Sequence, residues 1–224
     1  MIEVRNVTHS YGDRLVLRSV SVTLTERRVA VIGANGSGKS TFARLLNGLV
    51  VPQRGEVIVH GLSTRSDGAA VRRTVGFVFT DPDAQIVMPT VAEDVAFGLR
   101  RRKLDNDETR RRVFAALSDV GLEIFGDHPA HLLSSGQKQL LALCSVLVTE
   151  PRVLVCDEPT TLLDRRNTRQ VLEILDRLHQ QVILVTHDLE SVADYDRVLV
   201  FDDGRLVADG RPRLAVDHYR ALAG

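Results

Sequence analysis

The sequence predicts an α/β fold: a mostly parallel core sheet, an antiparallel N-terminal β subdomain and an inserted α-helical subdomain. Three observations carry that prediction. Val29-Ala30-Val31-Ile32 is a short apolar run that passes directly into Gly33-Ala34-Asn35-Gly36-Ser37-Gly38-Lys39-Ser40 and then into residues with helical apolar spacing. Val153-Leu154-Val155-Cys156 and Val182-Ile183-Leu184-Val185 are wholly apolar strands separated by a helical segment, as in a sheet covered on both faces. From Pro89 to Glu150 helical periodicity takes over.

In chain order, Ile2 to His9 alternates apolar and polar residues and reads as a half-exposed strand. Tyr11-Gly12-Asp13 turns the chain, and Leu15–Leu17 and Val20–Leu24 follow as two antiparallel strands. Tyr11, beside a turn, suits either a stacking platform for a flat ring or a simple loop contact. The Gly-x-x-x-x-Gly-Lys-Ser pattern is a phosphate-binding loop. Its glycines let the backbone curl so that N–H groups meet phosphate oxygens, and the helix from Lys39 adds unpaired donors and a positive dipole end. Lys39 brings a point charge for the β and γ phosphates, and the Ser40 hydroxyl suits Mg²⁺.

After that helix, Glu56–Gly61 is a short strand, Arg65–Arg73 a polar loop ending in a short helix, and Val75–Phe79 a buried strand. In the helical insert, Thr90 and Glu93 form a capping-box pattern ahead of Val91, Val95 and Leu99. A second helix begins at Asp107 or Thr109 and stops at Gly121; a third begins around Ser135 with N–H donors exposed for an anion. The runs Arg100–Lys103 and Arg110–Arg112 read as solvated helix faces or, alternatively, as a site for phosphate or lipid headgroups. Thr168–Leu178 and Leu189–Ala193 read as helices, Asp202-Asp203-Gly204 as a hairpin turn, and Arg213–Ala223 as a terminal helix. One domain, 1–224, results, with a core of 1–84 and 149–224 and a helical subdomain of 85–148.

Composition narrows the function. Lys plus Arg and Asp plus Glu both number 29, so formal net charge is zero, which argues against a nucleic-acid partner. No apolar run is long enough to span a membrane, and the N-terminus lacks a signal-peptide build. Cys144 and Cys156 lie in apolar runs and read as core thiols, and the histidines show no zinc spacing with them. Ligands of such sheets bind at the carboxyl ends of the strands. Asp157 follows an apolar strand directly, where a carboxylate can hold a nucleotide's Mg²⁺ directly or through water. Glu158, next to it, can polarise or deprotonate water near a γ phosphate. His187 ends another strand, as a donor to that phosphate or as a satisfied strand-end histidine.

At Leu133-Ser134-Ser135-Gly136-Gln137 the sequence is similar to the signature of ABC-type ATPase subunits, and the resemblance extends over the whole chain. It implies a P-loop NTPase fold with ATP and Mg²⁺ as cofactors. Tyr11 then matches the adenine-stacking aromatic, and Asn35, Gly36, Ser37, Gly38, Lys39, Ser40 and Thr41 belong to the Walker A nucleotide loop. Val153 to Glu158 matches Walker B with Glu158 as the catalytic carboxylate, Thr161 to Asp164 the D-loop, and His187 the switch histidine. The family implies two subunits packed head to tail, a homodimer or a pair with a similar ATPase, so that Ser134, Ser135, Gly136 and Gln137 act on the partner's ATP.

Phe79–Gln85 with Pro89–Gly98 looks like the energy-coupling factor subfamily of vitamin and cobalt or nickel importers, most of all its biotin-importer ATPases. That resemblance implies a place on the cytoplasmic face of the cell membrane, a transmembrane coupling subunit and a small substrate-capture membrane protein. The loop after Phe79 and the helix from Thr90 would grip the coupling subunit, with Glu93 and Asp94 meeting its basic residues. Two positions depart from the pattern. Thr80 stands where the family's Q-loop glutamine belongs; Gln85, five residues on, either substitutes as a magnesium ligand or answers only to the second glutamine of these relatives; and Ser135 stands where glycine is usual.

Overall fold

The computed structural model describes residues 1–223 and divides into two units, Met1–Val75 with Arg152–Glu158 and the chain from His179 onward, and Gly76–Pro151 with Pro159–Leu178.

The first unit holds the sheets. β1 (Ile2–Tyr11), β2 (Arg14–Leu24), β4 (Arg54–Val59) and β5 (Leu62–Ser63) form an antiparallel sheet in the order β2-β1-β4-β5. The two strands expected across Leu15–Leu24 are one. Ser19 takes a positive φ of 55°, and the buried set runs Leu17, Val20, Val22, Leu24. The extra residue between Leu17 and Val20 is a bulge that resets the alternation while the ladder to β1 continues. The second sheet places β3 (Arg28–Gly33) between β8 (Gln181–Val185) and β9 (Arg197–Asp202), parallel to both, with β7 (Val153–Asp157) parallel to β8. All of β3 and β7 is buried, which is why residues 29–32 and 153–156 are wholly apolar, with charged residues only at one end of each strand, Arg28 and Asp157. β10 (Arg205–Gly210) returns antiparallel to β9 through Asp203 and Gly204, both at positive φ (41° and 75°), the type I′ geometry that an Asp-Gly pair suits.

α1 (Lys39–Asn47) leaves β3 through the Gly-rich loop and buries Phe42 against Phe201, ring centroids 4.9 Å apart. α2 (Gly68–Thr74) and the terminal α7 (Pro212–Ala223) complete the unit. No helix forms over Leu189–Ala193, which turns instead. The Asp188 carboxylate accepts from Glu190 N–H (3.0 Å), the Ser191 hydroxyl donates to Asp188 C=O (2.8 Å), and the Thr186 hydroxyl accepts from Asp188 N–H (3.0 Å). Such local bonds give the backbone an alternative to helix. β6 (Val75–Val78) carries the chain out of this unit.

The second unit is built on α3 (Val91–Leu99), α4 (Asn106–Asp119), α5 (Ser135–Leu147) and α6 (Arg165–Arg177). The capping box at Thr90 and Glu93 is present. Asp105 and Asp164 cap α4 and α6, so both helices begin earlier than their apolar spacing alone indicates. Gly98 lets α3 approach α5 closely: a Cβ there would stand 2.8 Å from Ser145 C=O. Among the described residues, no helix is long and apolar enough to cross a membrane.

Candidate nucleotide site

The carboxyl ends of β3, β7 and β8 bring the predicted chemistry of the first unit together. β3 ends in the phosphate loop, whose Gly38 has φ +104° and lies so close to β2 that a Cβ would stand 2.8 Å from Val16 C=O. Gly38 is also the N-cap of α1, so that helix begins with no side chain capping it. Its first N–H groups are therefore available to an anion. Lys39 is 4% exposed and folds back so that its ammonium donates to Gly33 C=O (2.8 Å) and Ala34 C=O (2.9 Å). Burial lowers its pKa, an effect partly offset by the charges of Glu158 and Asp157. The Ser37 hydroxyl is buried and has no hydrogen-bond partner among the described residues, Thr41 is buried, and Asn35 and Gly36 are exposed.

At the tip of β7 the Ser40 hydroxyl donates to Asp157 Oδ1 (2.8 Å), and the Arg44 guanidinium is 3.9 Å from Asp157 Oδ2. Asp157 is buried, which raises its pKa; the bond from Ser40 and the charge of Arg44 act in the opposite direction. A hydroxyl and a carboxylate oxygen at this separation are hard donors that fit Mg²⁺, with phosphate and water supplying the other positions. Among the described residues, no group of three or more His, Cys, Asp or Glu could hold a metal ion by itself. Glu158 has φ +50°, rare for a residue with a long side chain. Its N–H donates to Val185 C=O (2.9 Å), and its carboxylate lies 3.1 Å from Nδ1 of His187. Tyr11 is 48% exposed, with its ring set edge-on to His9 at 4.9 Å.

The remaining predicted residues lie in the second unit. Ser134 caps α5: its hydroxyl accepts from Gln137 N–H (3.3 Å), and Gln137 Oε1 accepts from Ser134 N–H (2.9 Å). The N–H donors expected to be open at this helix start are thus partly taken by the capping box, although the Ser134 O–H retains a proton to donate. Ser135 is exposed and is not among the residues at positive φ, so its side chain adds no backbone strain. Gly136 is required by contact, since a Cβ there would stand 2.4 Å from Cγ of Asn167. Ser134, Gln137, Asp164, Arg166 and Asn167 face one hollow of about 360 Å³. Thr80 is half-buried. The Gln85 carboxamide accepts from Phe79 N–H (3.1 Å) and donates to Ala142 C=O (3.0 Å), engaging both of its ends. Asp94 does not face outward as expected. It is 5% exposed and accepts from Val87 N–H (2.9 Å), Met88 N–H (3.1 Å) and the Ser145 hydroxyl (2.8 Å).

The model of the ABC transporter family matches residues 17–161. The chain belongs to the ABC transporter family. It is 46% identical to the biotin transport ATP-binding protein BioM of Rhizobium etli, over 99% of each chain. It is 43% identical to the cobalt import ATP-binding protein CbiO of Syntrophus aciditrophicus, over 96% of this chain and 80% of that one. Among solved structures, CbiO1 of Clostridium perfringens, part of the ABC transporter complex CbiONQ, superposes with a TM-score of 0.86 at 33% identity, covering 99% of this chain and 92% of that chain. An ATP-binding cassette in a dimeric post-hydrolysis state bound to ADP and phosphate also gives 0.86, at 29% identity, over 95% of this chain and 99% of its own. This ABC subunit is therefore an ATP-hydrolysing transport ATPase of the energy-coupling factor type with a P-loop NTPase fold.

Sequence reasoning missed two partners of the site in this ABC subunit. Arg44, one turn beyond Ser40 on α1, reaches the same carboxylate, and its i,i+4 spacing from Ser40 could have indicated it. Asn167 closes on Gly136 through the fold alone, and no local pattern marks it.

Proposed function

We propose that this subunit hydrolyses Mg·ATP to drive import of a vitamin, biotin first, through an energy-coupling factor transporter at the cytoplasmic face of the cell membrane. The observation that carries the hydrolytic reading is the Glu158–His187 pair, 3.1 Å apart, with Glu158 held at φ +50° next to Asp157. Tyr11 stacks on the base, and Asn35 to Thr41 cradle the phosphates. Lys39 exchanges its two loop carbonyls for phosphate oxygens. Ser40 and Asp157 hold Mg²⁺, which neutralises phosphate charge. Glu158 accepts a proton from the attacking water, and His187 orients Glu158 and donates to the γ phosphate. Gln85 is already bonded at both ends, so on this reading it reaches a magnesium shell only by leaving Phe79 and Ala142.

A second copy supplies Ser134, Ser135, Gly136 and Gln137 over the same ATP, with Asp164 beside them. The dimeric relative with ADP and phosphate supports this arrangement. The second unit offers two adjoining hollows to a transmembrane coupling subunit. One, of about 270 Å³, includes Ile86, Val87 and Pro89; the other, of about 320 Å³, includes Ala96, Phe97 and Leu104; Met88 lines both. A small substrate-capture membrane protein completes the importer and selects the substrate. The biotin reading rests on the BioM relative. Uptake of labelled biotin by cells lacking this gene should fall and return with the wild-type gene but not with Glu158→Gln; unchanged uptake overturns the biotin reading. The CbiO relative favours cobalt or nickel as the second reading, and the same cells assayed with those ions decide between them.

A further inference from the structure

The first hairpin lays an arginine against the phosphate loop. Tyr11 and Arg14 pair across the turn that joins β1 to β2, so the cross-strand geometry sends their side chains to the same face. Both are exposed. A terminal nitrogen of the Arg14 guanidinium lies 3.3 Å from the point where a Cβ on Gly36 would stand. Gly36 is itself exposed, so Arg14 sits on the solvent side of the loop while the buried Lys39 acts from within it.

Among the described residues, Arg14 forms no ion pair and no side-chain hydrogen bond. Two other arginines of the same sheet behave differently. Arg5 pairs with Glu3 and Glu56, and Arg18 donates to Asp203 C=O (3.0 Å) and lies 3.4 Å from the Asp203 carboxylate. A guanidinium resting on a glycine, with no acid to hold it there, beside a loop whose amides suit an anion, is a cation placed for an external one. We infer that Arg14 is a further nucleotide ligand, donating from outside the loop to the phosphate chain of bound ADP or ATP. The inference rests on the nucleotide reading above and adds a contact to it.

Because ADP and ATP share the chain it grips, Arg14 contributes binding that is the same before and after hydrolysis, which alters KM and leaves kcat in place. Arg14→Gln should weaken MgADP and MgATP binding by about tenfold each, read by calorimetry on the purified protein. Saturated turnover should stay within a factor of two. The loss should shrink in 0.5 M salt, since the contact is exposed, and Arg14→Lys should recover part of it. Unchanged ADP affinity in Arg14→Gln overturns the inference, as does a fall in kcat with ADP affinity intact. Lys39→Ala is the control. If it loses nucleotide binding while Arg14→Gln does not, the Arg14 assignment alone fails. If the wild-type protein binds neither nucleotide, the reading beneath it fails.

Discussion

Asp157 shows how one residue can oppose stability in the empty site and serve it in the loaded one. It is 2% exposed, and burial raises its carboxyl pKa despite the bond from Ser40. A raised folded-state value means the neutral acid is the form the fold prefers. Its contribution is fully present below the usual aspartate range, about pH 4, and is lost as pH rises through the folded value. Asp157→Asn keeps an acceptor for Ser40 and removes the charge. The empty variant should melt higher than the wild type at pH 7, with the gap closing near pH 4. Added MgATP should reverse the order, because the charged wild-type carboxylate makes the stronger metal contact. Differential scanning calorimetry with and without MgATP checks both signs. The same burial logic governs the thiols. Cys144 is pushed to about 12 and Cys156 is raised further, so neither should react with a maleimide in the folded protein at pH 7.5, and both should react in denaturant. Of the site's residues, those tied to local pattern were legible in advance: the glycine loop, Lys39, Ser40 and the strand-end Asp157, Glu158 and His187. Asn167 was not, because nothing near it in sequence reveals that the fold places it against Gly136.

At the scale of elements, the start of α5 combines a structural and a chemical duty in one hydroxyl. Ser134 Oγ accepts from Gln137 N–H and so caps the helix, while its own proton is left to donate. The two duties separate by substitution. Ser134→Asp keeps an N-cap acceptor but has no hydroxyl proton and carries a negative charge, whereas Ser134→Ala loses cap and donor together, a cost of about 1 kcal/mol. The Asp variant should melt close to the wild type yet fail to dimerise with ATP in a Glu158→Gln background. The Ala variant should lose both, as seen by size-exclusion chromatography beside a melting curve. Wild-type dimerisation in the Asp variant would remove Ser134 from the partner's phosphates. Elements were legible where caps and turn residues agreed with periodicity, as at Thr90–Glu93 and Asp203–Gly204. They were misread where short polar side chains bond their own backbone, as at Thr186–Ser191, or where a bulge shifts the alternation, as at Ser19.

For the whole molecule, coupling requires a surface that can change its partner without changing its chemistry. The second unit carries exposed Val87 (63%), Phe97 (44%) and Leu132 (69%), and Asp94 holds the backbone of Val87 and Met88 from beneath. An exposed valine on a backbone so braced is a fixed apolar knob, suited to a membrane protein's helix. Val87 lies on the second unit, whereas Lys39, Ser40, Asp157 and Glu158 lie on the first, so substitution there leaves the hydrolytic residues in place. Val87→Asp should therefore retain ATP-driven dimerisation and the turnover of the isolated subunit within a factor of two. In cells it should lower substrate uptake at least tenfold and release the subunit from the membrane fraction, because a carboxylate would have to be desolvated against an apolar helix. Equal uptake by Val87→Asp and wild type would move the docking surface elsewhere on the second unit. A parallel loss of turnover in the isolated subunit would instead show that the braced loop after Phe79 feeds back on hydrolysis, with Thr80 as its nearest departure from the family pattern.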